Sequence, residues 1–202
     1  MEPKTVELLE GIISSGVEVC LISKYWDDET LMKFYNLGYR KFGENRVEAL
    51  EKRSQKLPDD IEWHFVGNIQ SRDLKKICHY ASIIQSFDRP DLLEKLSKFD
   101  EDIEILIQVN LLDDNSRNGV SSKELDLVIK KINDLQINCN GFMFHPPIEL
   151  SNIEKTKLFK QMNEIFSKYP DYSILSMGTS NDYQLANQCG ATLNRLGRVL
   201  FE

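Results

Sequence analysis

None of the four cysteines, Cys20, Cys78, Cys139 and Cys189, stands in a CxxC spacing, so neighbouring thiols can build neither a zinc knuckle nor a dithiol redox centre. Histidine is equally sparse. His64, His79 and His145 lack a second ligand at helical metal spacing, and no metal site is expected. The chain has no GxGxxG and no P-loop pattern, which counts against a nucleotide-binding open sheet. It has no long block of lysine and arginine, and its net charge is −7 at pH 7, so a nucleic-acid partner is not expected. No apolar run approaches the length of a membrane span. Met1-Glu2-Pro3-Lys4 opens on polar residues rather than an apolar signal core. The expectation is a soluble, cytoplasmic protein with no membrane partner. Internal repeats and low-complexity segments are also missing.

What is present is ordinary globular material: 202 residues, 41% hydrophobic and 28% charged, enough for one sizeable core. The organising stretch is Val17-Glu18-Val19-Cys20-Leu21-Ile22-Ser23-Lys24. It is too short for a buried helix and rich in β-branched residues, so it reads as a buried strand that ends in a lysine. A lysine there has its stem in apolar surroundings and its amine at a mouth. Desolvation disfavours the ammonium and leaves a nucleophile that carbonyl cofactors need for a Schiff base. The plainer alternative is that Lys24 leaves the strand for water.

Further strand-like runs are Lys41-Phe42, Glu62 to Val66, Ser82 to Ser86, Ile103 to Val109, Ile137 to Phe144, Ser173 to Met177 and Thr192 to Leu196. Segments with helical spacing separate them: Thr5–Ser15, a helix after Asp27-Asp28-Glu29-Thr30, one from Asn45 to about Gln55, Ser71–Cys78, Arg89–Phe99, one starting at Ser121 with Glu124 as capping-box partner, Ile153–Lys168, and one ending at Cys189-Gly190. Strand and helix alternate about eight times without a break in composition. This predicts a single domain over residues 1–202, an α/β fold of the closed (β/α)8 TIM-barrel type, with an open doubly wound sheet as the other architecture.

In such a barrel the carboxyl ends of the strands form the active face. Lys24, Gly43-Glu44-Asn45, Gly67-Asn68, Asn110, His145, Gly178-Thr179-Ser180 and Gly197-Arg198 fall there. The last two groups follow the seventh and eighth strands, the usual phosphate position of this fold. A phosphate cradle on the same rim as a strand-end lysine suits a phosphorylated aldehyde, of which pyridoxal 5′-phosphate is the commonest. Arg195 lies inside the last strand, where an arginine is costly unless paired. It either donates to the cofactor's pyridine nitrogen, which weakens the ring as an electron sink, or it bridges to an acidic neighbour.

Ile22-Ser23-Lys24, Phe42-Gly43-Glu44-Asn45, Trp63-His64-Phe65-Val66-Gly67 with Gln70, Gln108-Val109-Asn110, Gly141-Phe142-Met143, Ser176-Met177-Gly178 with Ser180 and Asp182, and Arg195-Leu196-Gly197 occur in one order from about residue 18 to the end. As a set they resemble the pyridoxal phosphate homeostasis family. The resemblance implies a single-domain barrel similar to the N-terminal domain of alanine racemase, holding pyridoxal 5′-phosphate as a Schiff base and buffering or delivering it without a dedicated reaction. It implies Lys24 as the Schiff-base lysine, Asn45 beside the cofactor, Ser180 and Gly197 at the phosphate, Arg195 at the pyridine nitrogen, and His64 and Met177 lining the pocket.

The chain departs from the family at several points. Arg198 replaces a small hydroxyl residue and could meet the phosphate or point away. Arg72-Asp73 stands where an Asn-Lys pair is usual, Arg117 where lysine is common, and His145-Pro146-Pro147 in place of a plainer loop. The expected role is a monomeric carrier of the cofactor for pyridoxal-phosphate-dependent apo-enzymes. The alternatives are an amino-acid racemase of the same cofactor class and a binding module that has lost the cofactor. A racemase needs a second proton-transfer group facing the lysine.

Overall fold

The computed structural model describes residues 3–99, 102–112, 114 and 117–201. The eight expected strands are present as β1 (Glu18–Ile22), β2 (Lys41–Glu44), β3 (Glu62–Phe65), β4 (Ile83–Phe87), β5 (Glu104–Asn110), β7 (Cys139–Met143), β8 (Ile174–Thr179) and β9 (Leu193–Leu196). A ninth, very short strand, β6 (Val120–Ser121), attaches to the end of β5. All pairings are parallel. The order runs β4-β3-β2-β1-β9-β8-β7-β5, and β4 pairs with β5 to close the ring. The closed barrel, rather than the open sheet, is therefore the architecture.

The helices are α1 (Pro3–Ser14), α2 (Asp28–Asn36), α3 (Val47–Ser54), α4 (Leu74–Tyr80), α5 (Leu93–Leu96), α6 (Leu125–Asp134), α7 (Asn152–Phe166) and α8 (Tyr183–Gln188). Two boundaries differ from expectation. The helix after β6 begins at Leu125, and Ser121 belongs to the strand, so its proposed capping box with Glu124 does not form. The segment expected as one helix from Arg89 to Phe99 starts as a 3₁₀ turn at Pro90. A complete capping box sits instead on α7, where Ser151 and Glu154 satisfy each other's backbone amides.

Most of the core lies between strands and helices. Phe34, Phe42, Phe65, Phe87, Phe142 and Phe159 are fully buried, each contributing roughly 1.5–3 kcal/mol over exposure. At Gly141 the backbones of β7 and β8 come so close that a Cβ would lie 1.9 Å from the Ile174 carbonyl oxygen, and φ is +149°. Only glycine fits there.

Inside the barrel the filling is of two kinds. Ile83, Leu106 and Met143 make a small apolar cluster with Ile174. Beside it runs a buried polar chain. Arg195 Nη1 donates to Ser176 Oγ (2.6 Å), and Ser176 Oγ donates to Gln85 Oε1 (2.7 Å). Gln85 Nε2 meets His64 Nδ1 (2.7 Å), and His64 Nε2 meets Glu62 Oε1 (3.0 Å). The carboxylate accepts only, so Nε2 carries the imidazole proton and Nδ1 accepts from Gln85. Each link then donates away from the mouth of the barrel.

Candidate functional site

At the carboxyl ends of the strands lies a cavity of about 740 Å³. Lys24, Asn45, Ser180, Arg195, Gly197 and Arg198 all line it. The structure thus brings six of the eight expected site residues to one place.

The other two lie elsewhere. Met177 was expected to line the pocket, but alternation along β8 turns Ser176 inward to Arg195 and Met177 outward into the helix-facing core, where it is fully buried. His64 does face the interior, but it sits deeper, fully buried between Glu62 and Gln85. The lining positions belong to Val66, Met143 and His145.

Lys24 also differs from expectation. Strand β1 ends at Ile22, and Ser23 begins a turn closed by Trp26 N–H donating to the Ser23 carbonyl (2.8 Å). The lysine therefore stands clear of the dry interior and is exposed, its Nζ 4.8 Å from the centroid of the Tyr25 ring. What fixes this turn is a trio that sequence reading missed. Glu44, 1% exposed, accepts from the Ser23 hydroxyl and pairs with Arg53. Arg53 also donates to the Ser23 carbonyl (2.9 Å), to the Trp26 carbonyl and to Asp28 Oδ1 (3.3 Å). The available signal was a glutamate inside the strand of the Phe42–Asn45 motif, on its helix-facing side, where a buried charge must have a partner.

Opposite this turn, β8 passes into α8 through Gly178, whose φ of +88° and crowding against Ala186 and Tyr183 admit no side chain. The loop sets Ser180 Oγ where the amides of Gly197 (3.3 Å) and Val199 (3.2 Å) both donate to it. Two amides converging on one oxygen form an anion-sized cradle. Arg198 is exposed and donates to Asn181 Oδ1 (2.8 Å), which places it on the rim beside that cradle.

Arg195 is 6% exposed, and among the described residues no carboxylate pairs with it. It is held by neutral oxygens: the Ser176 carbonyl (2.9 Å) and hydroxyl, and the Phe144 carbonyl (3.1 Å). Burial lowers its guanidinium to about 10, so it stays charged at neutral pH. Three of its five N–H donors are used by these oxygens, and the residue lines the cavity. Cys20 is its register partner across β1 and β9, and burial pushes that thiol up, out of reach of thiolate chemistry. His145 Nδ1 donates to the Pro146 carbonyl (2.7 Å), and burial followed by the charge of Arg195 pushes the ring below its ordinary pKa. It presents a neutral imidazole to the cavity.

A second lysine, Lys155 on the first turn of α7, lines the same cavity and is 6% exposed. Sequence reading passed over it, although a signal existed. Lys155 shares the helix's inward stripe with Leu158, Phe159 and Met162, where a lysine is out of place.

Comparison with known proteins agrees with this geometry. Residues 12–202 match the family model of the alanine racemase N-terminal domain. A pyridoxal phosphate homeostasis protein of Aquifex aeolicus is 33% identical over 191 residues, covering 89% of this chain and 83% of that protein. One from Pasteurella multocida is 31% identical, covering 93% and 86%. The structure of PipY of Synechococcus elongatus with pyridoxal phosphate (PLP) bound superposes with a TM-score of 0.86 at 29% identity, covering 98% of this chain and 99% of that one. An arginine decarboxylase of Paramecium bursaria Chlorella virus, at 18% identity and a TM-score of 0.74, shares the fold alone. The chain belongs to the family of the pyridoxal phosphate homeostasis proteins, on the barrel of the alanine racemase N-terminal domain.

Proposed function

We propose that this chain, acting as one domain over its whole length, binds pyridoxal 5′-phosphate at the barrel mouth and serves its homeostasis. The observation that carries the reading is the juxtaposition on one rim of an accessible strand-end lysine, a converging pair of amides with a serine hydroxyl, and a buried arginine with donors to spare. The residues fit the cofactor: the Ser180, Gly197 and Val199 cradle for the phosphate with Arg198 beside it, Arg195 for the pyridine nitrogen, Lys24 for the aldehyde, and Asn45 at the side of the ring. When bound, the cofactor supplies an aldehyde that condenses with amines and a ring that withdraws electrons from the attached carbon.

The chain's own residues limit that withdrawal. A guanidinium that stays charged donates to the ring nitrogen and keeps it unprotonated, which supports holding and release over carbanion chemistry. The neutral hydrogen-bond partners of Arg195 leave its full charge to act there. The proposed setting is cytoplasmic, with the protein a monomer that gives the cofactor to apo-enzymes requiring it.

The test is an absorbance titration with pyridoxal phosphate, followed by borohydride reduction and peptide mapping. A band of lysine-bound cofactor should appear and the label should fall on Lys24, whereas Lys24→Ala should give no label. A missing band, or equal labelling of Lys24→Ala, overturns the reading. The racemase alternative is decided by a chiral assay across several amino acids, in which robust turnover would replace carriage with catalysis.

A further inference from the structure

Lys155 and Asp182 face each other across the inner wall of the cavity in an unusual way. Their side chains are 7% and 4% exposed, and Lys155 Nζ stands 4.0 Å from Asp182 Oδ2, beyond hydrogen-bond reach. Asp182 spends its other oxygen on the loop: Oδ1 accepts from the Thr179 amide (2.8 Å) and hydroxyl (3.0 Å). Oδ2 has no donor among the described residues, and the Lys155 ammonium, with three donors, has no acceptor. Neither atom is sealed from the cavity, because the buried polar atoms without a partner are Glu104 Oε1, Tyr172 Oη and Asn194 Oδ1. Both residues line the cavity.

A buried ion pair offsets its desolvation only when close geometry and further hydrogen bonds satisfy the remaining donors and acceptors. This pair is too long for a hydrogen bond, and the Thr179 bonds satisfy only Asp182 Oδ1, leaving Oδ2 and the Lys155 ammonium open. It presents one open positive and one open negative pole side by side in the cavity lining. Its complement is a molecule with the opposite poles the same short distance apart.

We propose that Lys155 and Asp182 form a binding subsite for a zwitterionic α-amino acid, its carboxylate on Lys155 and its ammonium on Asp182 Oδ2. An amino acid carries both charges on one carbon, which a simple carboxylate or a simple amine cannot match. The phosphate cradle is a separate feature, built from Ser180, Gly197 and Val199. A dianion at Lys155 would meet the Asp182 carboxylate head-on, so the subsite selects a ligand that brings its own cation. The apolar part of the ligand would face Met143 and Ile148 on the same wall. The subsite stands without the cofactor, so its fate and that of the proposed cofactor site are separable.

The experiment uses the cofactor-free full chain and the fluorescence of Trp26, which lines the cavity. The probes are L-alanine, propionate, which lacks the ammonium, and alaninamide, which lacks the carboxylate. L-Alanine should give a saturable change, and each single-charge analogue should bind about tenfold more weakly, the loss of one charge-assisted hydrogen bond. Lys155→Met should weaken L-alanine by a similar factor and leave alaninamide unchanged, with Lys155→Arg in between. Pyridoxal phosphate titration and a melting curve of each variant show that it is folded. Equal responses to all three probes, no response to L-alanine, or unchanged alanine binding in a folded Lys155→Met overturns the proposal. The comparison of the three probes on the unmodified chain stands even if a variant does not fold.

Discussion

The two ends of this barrel both carry charged side chains and use them differently. At the amino ends of the strands, Glu18, Lys41, Glu62 and Glu104 are the first residues of β1, β2, β3 and β5. One ammonium is shared among these carboxylates, and Glu104 Oε1 is buried without a partner among the described residues. Lys41 Nζ lies 2.6 Å from Glu18 and 3.9 Å from Glu62, and Glu62 accepts a hydrogen bond from His64 Nε2. At the carboxyl ends, Lys24, Arg195 and Lys155 keep donors that no group among the described residues accepts. One end spends its ammonium and its imidazole proton on neighbouring carboxylates, and the other keeps charged groups turned to the cavity. The polar chain from Arg195 to Glu62 joins them, and it donates uniformly toward the amino ends of the strands. The charge that faces the cavity is thus backed, through three neutral groups, by a carboxylate at the far end. The two ends can be told apart by which substitutions cost stability and which cost binding.

The largest effect should come from the saturated charges at the mouth. Glu44→Leu leaves Arg53, whose side chain is 11% exposed, without its buried carboxylate and with only the more exposed Asp28 as an ionic partner. Breaking a buried pair from one side typically costs about 3–5 kcal/mol. Urea unfolding should show a loss of this order, and pyridoxal phosphate binding should weaken as well, because the turn that carries Lys24 loses its anchor. Glu44→Leu combined with Arg53→Leu should recover much of the stability and little of the binding. If both recover together, the trio is structural only.

Next comes the connecting chain. Gln85→Leu strands the Ser176 hydroxyl and His64 Nδ1 inside the barrel, about 2–3 kcal/mol for two orphaned neutral groups. The loss should be smaller in Gln85→Leu combined with His64→Phe, where one orphan is removed and Glu62, the more exposed end of the chain, turns to water. Strict additivity of the two substitutions would show that the groups do not act as a chain.

Much of this was legible from residues alone. Short β-branched runs at regular spacing gave the eight strands, because a parallel strand buried on both faces reads as a continuous apolar run. Glycine-led loops after β8 and β9 marked the anion cradle, because a turn that must admit an anion excludes side chains. The missed parts share one cause. Whether a residue such as Met177 faces in or out depends on strand register to a single residue, and a one-residue shift reverses every facing. The depth of His64 depends on how strands stagger around the ring, which no local pattern records. The exposure of Lys24 turned on where β1 stops, and β6 is too short to leave a periodic signal. Glu44, Arg53 and Lys155 could be flagged as charges at core-facing positions, but their partners lie far away in sequence and emerge only on folding.

The smallest effect tests the direction of the chain itself. Burial lowers the pKa of both His64 and His145 in the folded protein. As the pH falls below the unfolded imidazole value of about 6.5, the unfolded chain takes up protons that the folded chain refuses. Stability should therefore fall with pH in that window, with an upper bound of about 1 kcal/mol per histidine over the first pH unit. The hydrogen bond from His64 lowers the pKa of Glu62. Its contribution is present above the unfolded carboxylate range and is lost only in more acidic solution, so it does not blur the histidine window. His64→Gln separates the two histidines: an amide can accept from Gln85 through its oxygen and donate to Glu62 through its nitrogen, without titrating. Melting curves between pH 8 and 5.5 (roughly a unit or more on either side of the imidazole value) should lose about half of their slope in this variant, with the melting point at pH 8 nearly unchanged. If His64→Gln keeps the full slope, or falls sharply at pH 8, the ring does not sit neutral between an amide donor and a carboxylate, and the one-way chain from cavity to far end does not exist.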